Sequence, residues 1–308
     1  MENTINTQNY SFQVYGLGQC CLDYIGKISA YPLPDTKCEF TNMIIQGGGP
    51  VATALSALSR WGMSCTITGV IGDDPLGPMI AESLNKEGVD TSRLLIRKGF
   101  DSQFAFVMAE PVVGRRTILW RRPTGPPPGP DELDYNLISK AEVLYTDGIF
   151  PAASIAACRA ARQSGVKVVV DAGSMRKGML DIARSSDCFI ASETFAKSYL
   201  GRENPLEACR RLAKLGPGIV GVTLGAEGYI AMENGKIIRK PAHKVGAIDT
   251  TGCGDIFHAG VTYGLLKGWA VEKSLDLGAW AAAKVSLKLG GREGIPHLED
   301  YGSLEHSA

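Results

Sequence analysis

Four short motifs are missing from the 308 residues: GxxxxGK[ST], HExxH, GxSxG and CxxC. Their absence removes a P-loop phosphate cradle, a zincin metal site, an elbow-borne serine nucleophile and a dithiol redox pair. Histidine is scarce, four in all and none at metal-ligand spacing, so zinc chemistry has no obvious donors. Charge of one sign is not in excess, with 32 Lys plus Arg against 32 Asp plus Glu, which gives no support to nucleic acid or a membrane surface as partner. No apolar run approaches the roughly 18 residues needed to span a bilayer. The opening "MENTINTQNYSFQ" is polar and lacks the apolar centre of a secretory leader. Eight cysteines, at 20, 21, 38, 65, 158, 188, 209 and 253, are therefore expected to be reduced, buried small residues of a cytoplasmic protein.

What the chain does have is glycine, 37 residues of it, where an average chain carries about 7%. Much of the excess sits between apolar runs of strand length. "FQVYGLG" (12–18), "CTITGVIG" (65–72), "EVLYTDG" (142–148), "VKVVVDAG" (166–173), "DCFIAS" (187–192) and "GIVGVTLG" (218–225) read as buried strands. Helical stretches fall between them: Val51–Trp61, 78–88, "AASIAACRAARQSG" and "PLEACRRLAKLG". Continuous apolar strands alternating with helices predict an α/β fold, a central, mostly parallel sheet with helices on both faces. Two segments break the rhythm. Residues 25–46 are strand-like but interrupted by Pro32 and Pro34, and within 92–122 "SQFAFVMAE" and "GRRTILWRR" read as a hairpin joined through "PVVG". Together they predict a small β-sheet outside the main layer. Asn234-Gly235 signals a second hairpin over 229–240, and the five prolines of "RRPTGPPPGPDE" (121–132) a rigid loop.

One stretch is not explained by core filling. In "DTTGCGDIFHAG" (249–260), Gly252, Cys253 and Gly254 run straight into an apolar helix reaching Leu266. Glycines free the backbone N–H groups to face a cavity, and the helix start adds partial positive charge, which makes an anion site. Asp255 lies in the first turn, where it either caps the helix or takes a proton from a hydroxyl attacking the held phosphate. Glycines 47, 48 and 49 in a row suggest close approach of backbone to a substrate.

In these motifs and their order the chain resembles the ribokinase-like, or phosphofructokinase-B, family of carbohydrate kinases. "DTTGCGD" resembles the family's C-terminal signature, DTxGAGD, and "GGGPVATALSALSRWG" (47–62) with "VIGDDPLG" its N-terminal glycine signature. "VTLGAEG" (222–228) is similar to the strand and loop that meet the nucleotide, and "DAGSMR" (171–176) to the D-x-N-x-R stretch. The resemblance implies one kinase domain over residues 1–308, with 25–46 and 92–122 as its lid. It implies Asp255 as base, with the amides of Gly252, Cys253 and Gly254 as anion hole. It also implies Asp23, five residues after Gly18, with Gly47, Gly48 and Gly49 on the sugar. Thr223, Gly225, Gly228, Glu193 and Arg176 would meet the nucleotide. ATP with Mg2+ is the implied phosphoryl donor. Asp249, Thr251 and the backbone near Gly291 would hold a monovalent cation, K+ in many members. Exposed lid strands can pair between subunits by edge addition, so a homodimer through the lid is expected.

Within the family, "GGGPVATA" and the late "GGREGIP" (290–296) resemble the sulfofructose kinase subgroup. Lys37 matches a basic residue there, but Trp120 and Ile149 stand where a sulfonate would be held. The NxxE motif falls on Ser192–Phe195 with both defining residues changed, a departure shared by ketohexokinases. Asp147 is a further candidate sugar contact at a strand end, and Arg121 and Arg122 could meet an anionic substituent. Arg176 reaches either nucleotide phosphates or Asp171, and His258 reads as a packing residue. Cys253, beside the anion hole, raises the prospect of oxidant sensitivity. Three functions stay open: a sugar kinase, a nucleoside kinase with Phe104, Phe106 and Trp120 as base platform, and a binder without catalysis.

Overall fold

The computed structural model describes residues 12–110 and 115–305. Fourteen strands are described: β1 (Val14–Leu17), β2 (Cys21–Lys27), β3 (Asn42–Gly48), β4 (Cys65–Thr68), β5 (Val70–Gly72), β6 (Leu95–Arg97), β7 (Phe104–Glu110), β8 (Arg115–Arg121), β9 (Val143–Thr146), β10 (Lys167–Ala172), β11 (Cys188–Ser192), β12 (Ile219–Thr223), β13 (Tyr229–Glu233) and β14 (Lys236–Lys240). Eight of them form one sheet in the order β14-β13-β12-β11-β10-β9-β1-β4. From β12 to β4 the pairings are parallel, and β13 and β14 add an antiparallel edge. The Asn234-Gly235 turn has both residues at positive φ, 47° and 89°, as the sequence predicts for a two-residue hairpin loop.

Both faces of this sheet are covered, and the side-chain period of two divides its strands between two cores. Val14, Val143, Tyr145, Val169 and Cys188 pack with the helices Pro50–Arg60, Cys253–Leu266 and Val271–Val285. Their neighbours Tyr15, Leu144, Val168, Val170 and Phe189 face the opposite layer, built on Pro151–Gln163, Met179–Ala183, Glu193–Leu200 and Pro205–Ala213. No described helix is long and apolar enough to cross a membrane.

A second sheet of four strands, β3-β2-β7-β8, stands outside the main layer. It draws on the two segments expected there, the first extended at both ends, to Cys21 and Gly48, the second reduced to Phe104–Arg121, with two differences. The stretch 28–41 is loop rather than strand, and Leu95–Arg97 leaves to pair with Val70–Gly72 in a separate two-stranded ribbon. "CTITGVIG" is accordingly two strands, not one, parting at Gly69. The "PVVG" connection expected to join β7 to β8 falls on residues 111–114, outside the described residues.

The strand order places the site. β1 lies between β4 and β9, so successive connections depart to opposite sides of it. In an open parallel sheet, such a reversal opens a crevice beyond the strand C-termini. The chain emerging from β1 carries Gly18 and Gln19, and the chain emerging from β9 carries Asp147.

Candidate active site

At that crevice the carboxylate of Asp147 is buried and accepts two backbone N–H bonds, from Gln19 at 2.9 Å and Ile149 at 3.0 Å. Burial nonetheless pushes its pKa up to about 6, those two bonds and Arg176 pulling the other way. Asp23 arrives from β2, 8% exposed, and accepts from the Cys21 thiol at 3.1 Å. It is thus a strand residue with its side chain turned to the crevice, not the cap of a turn. Its pKa is raised by burial and pulled back by Cys21 and Arg292. Gly48 has to be glycine for its sake, since a Cβ there would stand 2.0 Å from Asp23 Oδ2. Gly47 is buried, and Gly49, at φ 96°, turns the strand into the helix that starts with Pro50.

Across the crevice the helix Cys253–Leu266 begins at Gly252, which holds φ 77° and approaches Gly291 so closely that a Cβ would lie 2.5 Å from its Cα. No side chain caps this helix start, so Asp255 does not spend its carboxylate on the backbone. The first N–H groups stay available to an anion. Asp255 keeps a partly open surface while being enclosed by protein on its other sides, as the floor of a cleft is. Enclosure raises its pKa well above the usual carboxylate range; Asp171 adds to the rise, and Arg116 opposes it. Asp171 itself is buried between Tyr145 Oη and His258 Nδ1, each 3.4 Å from its Oδ2. His258 does more than pack. Its ring nitrogens face the carbonyl oxygens of Gly254 at 2.7 Å and Ile190 at 3.1 Å, tying the first turn of this helix to β11.

Three carboxylates of the crevice therefore each have one arginine within electrostatic range, brought from three different places. Asp255 has Arg116 from β8, Asp147 has Arg176 from the loop after β10, and Asp23 has Arg292 from beyond the last long helix. Arg116 also donates from Nη1 to Thr250 Oγ1, so β8 touches the loop that leads into the helix Cys253–Leu266. Sequence reasoning missed this arginine. The signal was present: in a hairpin strand Arg116, Ile118 and Trp120 share a face by period two. No ion pair joins Arg176 to Asp171 among the described residues, so that of its two expected partners is not found.

The remaining predicted residues fall in three groups. Asp23, Ala105 and Trp120 form one cross-strand row, which puts Trp120 on the same face of the small sheet as Asp23. Its ring lies under the Arg122 guanidinium at 4.8 Å. Phe104 and Phe106 are offset by one position and point the other way, Phe106 against Tyr24 at 5.1 Å, so the three aromatics do not make a single base platform. Lys37 stands exposed in the 28–41 loop, with no bond or ion pair to the site among the described residues. At the far strand ends, Thr223 closes β12, Gly225 opens a single 3₁₀ turn, and Gly228, at φ 94°, leads into β13. Glu193 opens the helix capped by Ser192, whose Oγ accepts from Phe195 N at 3.0 Å. Arg121 pairs with Asp101 at 2.7 Å.

The segment Asp249–Thr251 is braced by its own carboxylate. Asp249 accepts from Thr251 N at 2.9 Å, Thr251 Oγ1 at 2.7 Å and Gly290 N at 2.9 Å. This joins the loop to the backbone at Gly290-Gly291, the stretch expected to share a cation. No cluster of three His, Cys, Asp or Glu that could hold a metal ion occurs among the described residues. Cys253 does not have the character of a reactive thiol: burial pushes it up to about 12, and its Sγ is engaged with Ala282 O at 3.4 Å.

A 2-dehydro-3-deoxygluconokinase of Thermoproteus tenax is 30% identical over 273 residues, 83% of this chain and 84% of that one. A 5-dehydro-2-deoxygluconokinase of Shouchella clausii is 25% identical over 314 residues, 95% of each. The solved structure of Arabidopsis thaliana ribokinase, complexed with ribose and ATP, superposes with a TM-score of 0.81 at 22% identity, covering 96% of this chain and 99% of that one. The profile of the pfkB family carbohydrate kinases spans residues 13–298, and this chain is a member of that family, a sugar kinase of ribokinase-like fold.

Proposed function

We propose that the chain transfers the γ-phosphoryl group of ATP to a hydroxyl of a keto-sugar acid of the dehydro-deoxygluconate class. The single observation that carries the mechanism is the uncapped, glycine-led helix start with Asp255 enclosed beside it and Arg116 facing it. Asp255 takes the proton from the attacking hydroxyl; a carboxylate raised above its ordinary range is a stronger base. The N–H groups of the Gly252–Gly254 segment, with the Arg116 guanidinium, meet the negative charge of the transferring group without having to reorganise. A triphosphate fits this donor set, which is rich in backbone N–H and holds an arginine in place of a P-loop lysine. MgATP, when bound, supplies the electrophilic phosphorus. Thr223, Gly225, Gly228, Glu193 and Arg176 line the route for the rest of the nucleotide. K+ is assigned to the Asp249–Thr251 loop and the Gly291 backbone.

Asp23 and the Gly47–Gly49 turn orient the sugar, with Asp147 as a further hydroxyl partner. The substrate class is drawn from the names of two relatives, both acting on dehydro-deoxygluconates, and from the cations on the small sheet. Arg122 over Trp120 offers a carboxylate an arginine that no ion pair occupies among the described residues. The β2–β3–β7–β8 sheet serves as lid. Its outward face, with Tyr24, Met43, Ile45, Phe106 and Leu119, has the apolar character of a homodimer contact. The eight unpaired cysteines fit a reducing, cytoplasmic setting.

The test is ADP release from MgATP across keto-sugar acids, neutral ketoses, aldoses and nucleosides, with K+ varied and Asp255→Asn run beside the parent. Turnover confined to the sugar acids and reduced about 10²–10⁴-fold in the variant is expected. A variant retaining most of its kcat would remove Asp255 as base. Preference for a nucleoside or a neutral sugar would overturn the substrate class.

A further inference from the structure

Arg292 is among the most enclosed charges in the molecule, 3% exposed. Among the described residues its Nε and Nη2 have no hydrogen-bond partner, and Nη1 reaches only Ser83 Oγ at 3.5 Å, the outer limit of a hydrogen bond. No carboxylate of the described residues lies within ion-pairing distance of it. A buried guanidinium left so poorly paired is costly, and an apolar side chain of similar size would serve the core better. Its placement gives the reason for keeping it.

The tripeptide Gly290-Gly291-Arg292 meets three separate parts of the site. Gly290 N–H donates to Asp249, Gly291 packs on Gly252, and the Arg292 guanidinium lies directly behind Gly47, where a Cβ would stand 2.6 Å from Nη1. The next residue, Gly48, turns the opposite way and is covered by the carboxylate of Asp23. Behind Gly47 a cavity of 360 Å³, lined by Gly47, Ser83, Met79 and Arg292 among others, leaves that backbone otherwise weakly supported. The backbone of Arg292 is itself pinned, its carbonyl accepting from Arg60 Nη1 at 2.9 Å.

We propose that Arg292 is a positioning residue for the sugar half of the site, holding the Gly47–Gly48 backbone from behind while its charge faces Asp23 through it. The proposal rests on the reading that Asp23 and this glycine turn bind the sugar. The opposing pull of Arg292 on the raised pKa of Asp23 agrees with it. A residue with this role acts on sugar binding and leaves the ATP side alone. It also costs stability, so its removal does not weaken the fold.

Arg292→Met, Arg292→Lys, Arg292→Gln and Asp23→Asn separate the possibilities, with 2-dehydro-3-deoxygluconate as the sugar probe. Arg292→Met is expected to raise the sugar KM tenfold or more, change the ATP KM less than twofold, and leave Tm equal or higher. Arg292→Lys should recover most of the loss and Arg292→Gln little of it, which assigns the effect to charge even if the Met variant fails to fold. Without any ligand, amide hydrogen exchange in 44–50 should quicken in Arg292→Met while 252–258 stays as in the parent. Unchanged exchange in 44–50, parallel rises in both KM values, or equal rescue by Gln would overturn the proposal. If Asp23→Asn raises the sugar KM and Arg292→Met does not, Arg292 is excluded while the sugar reading stands. If neither does, the sugar reading itself fails, and the inference with it.

Discussion

The two larger sheets of this kinase handle their side chains in opposite ways. In the eight-stranded sheet β1, β4 and β9 are buried at every position, because helices cover both faces. In the four-stranded sheet only one face is turned to the rest of the molecule. β7 alternates between buried Ala105, Val107 and Ala109 and an outward row in which Phe106 is 44% exposed. The first sheet carries Asp147 and Asp171 at its strand ends, and His258 ties the start of the helix Cys253–Leu266 to β11. The second is held by one buried face, where Ile25, Val107 and Ala109 pack on Leu289, and by contacts such as Arg116 to Thr250. We propose that precision of the chemistry rests on the buried sheet, and recognition of the substrate on the exposed one.

If that division is right, the largest effect on stability comes from the buried sheet and leaves substrate affinity alone. Phe189 is fully enclosed on β11 and meets Phe195 edge-on with ring centres 5.5 Å apart. Phe189→Ala should cost about 3–5 kcal/mol, the price of a large cavity in a close-packed core. Urea unfolding measures the loss. A sugar KM shifted along with it, in the fraction still folded, would break the comparison.

A smaller effect of unusual sign is expected from pH. Asp147 titrates at about 6 in the fold against an ordinary 3.8, so the folded state binds its proton more tightly than the unfolded chain. Its contribution is fully present below the unfolded value and is lost as pH rises through 6, a span of about 3 kcal/mol at most. Lowering the pH from 8 to 5 should therefore raise the apo Tm, a rise that Asp147→Asn flattens. Activity should move oppositely, since Asp255 cannot accept a proton once it carries one. A Tm with the same pH slope in parent and variant would remove Asp147 as its source.

The same contrast governs what could be read from the sequence. β9, β10 and β11 were legible because strands buried on both faces are continuous apolar runs, and the helix start at Gly252 because its glycines run straight into an apolar stretch. The error at 65–72 came from the same source, since an apolar run does not say at which residue it leaves one sheet for another. The small sheet was legible only as a disturbance of the rhythm. Its register was not, and with it went Arg116, the separation of Phe104 and Phe106 from Trp120, and the isolation of Lys37. Arg292 was out of reach for a different reason: its meaning lies in what stands on the far side of Gly47, a contact spanning most of the chain.

Trp120 gives the finest division between the two sheets. It is half exposed on β8, in the cross-strand row that holds Asp23, and its ring lies under Arg122. Truncation to alanine removes little buried surface, so stability should change by no more than about 0.5 kcal/mol. The same change takes away the aromatic wall against which a sugar acid would rest and leaves Arg122 without its platform. The sugar KM should rise about tenfold, roughly 1.4 kcal/mol of lost binding, with the ATP KM unmoved. Steady-state kinetics with each substrate varied in turn, beside a thermal melt, reads all three quantities. A melt lowered by several degrees at constant KM would mean that the small sheet stabilises the molecule and does not recognise its substrate, the reverse of the division drawn from its burial.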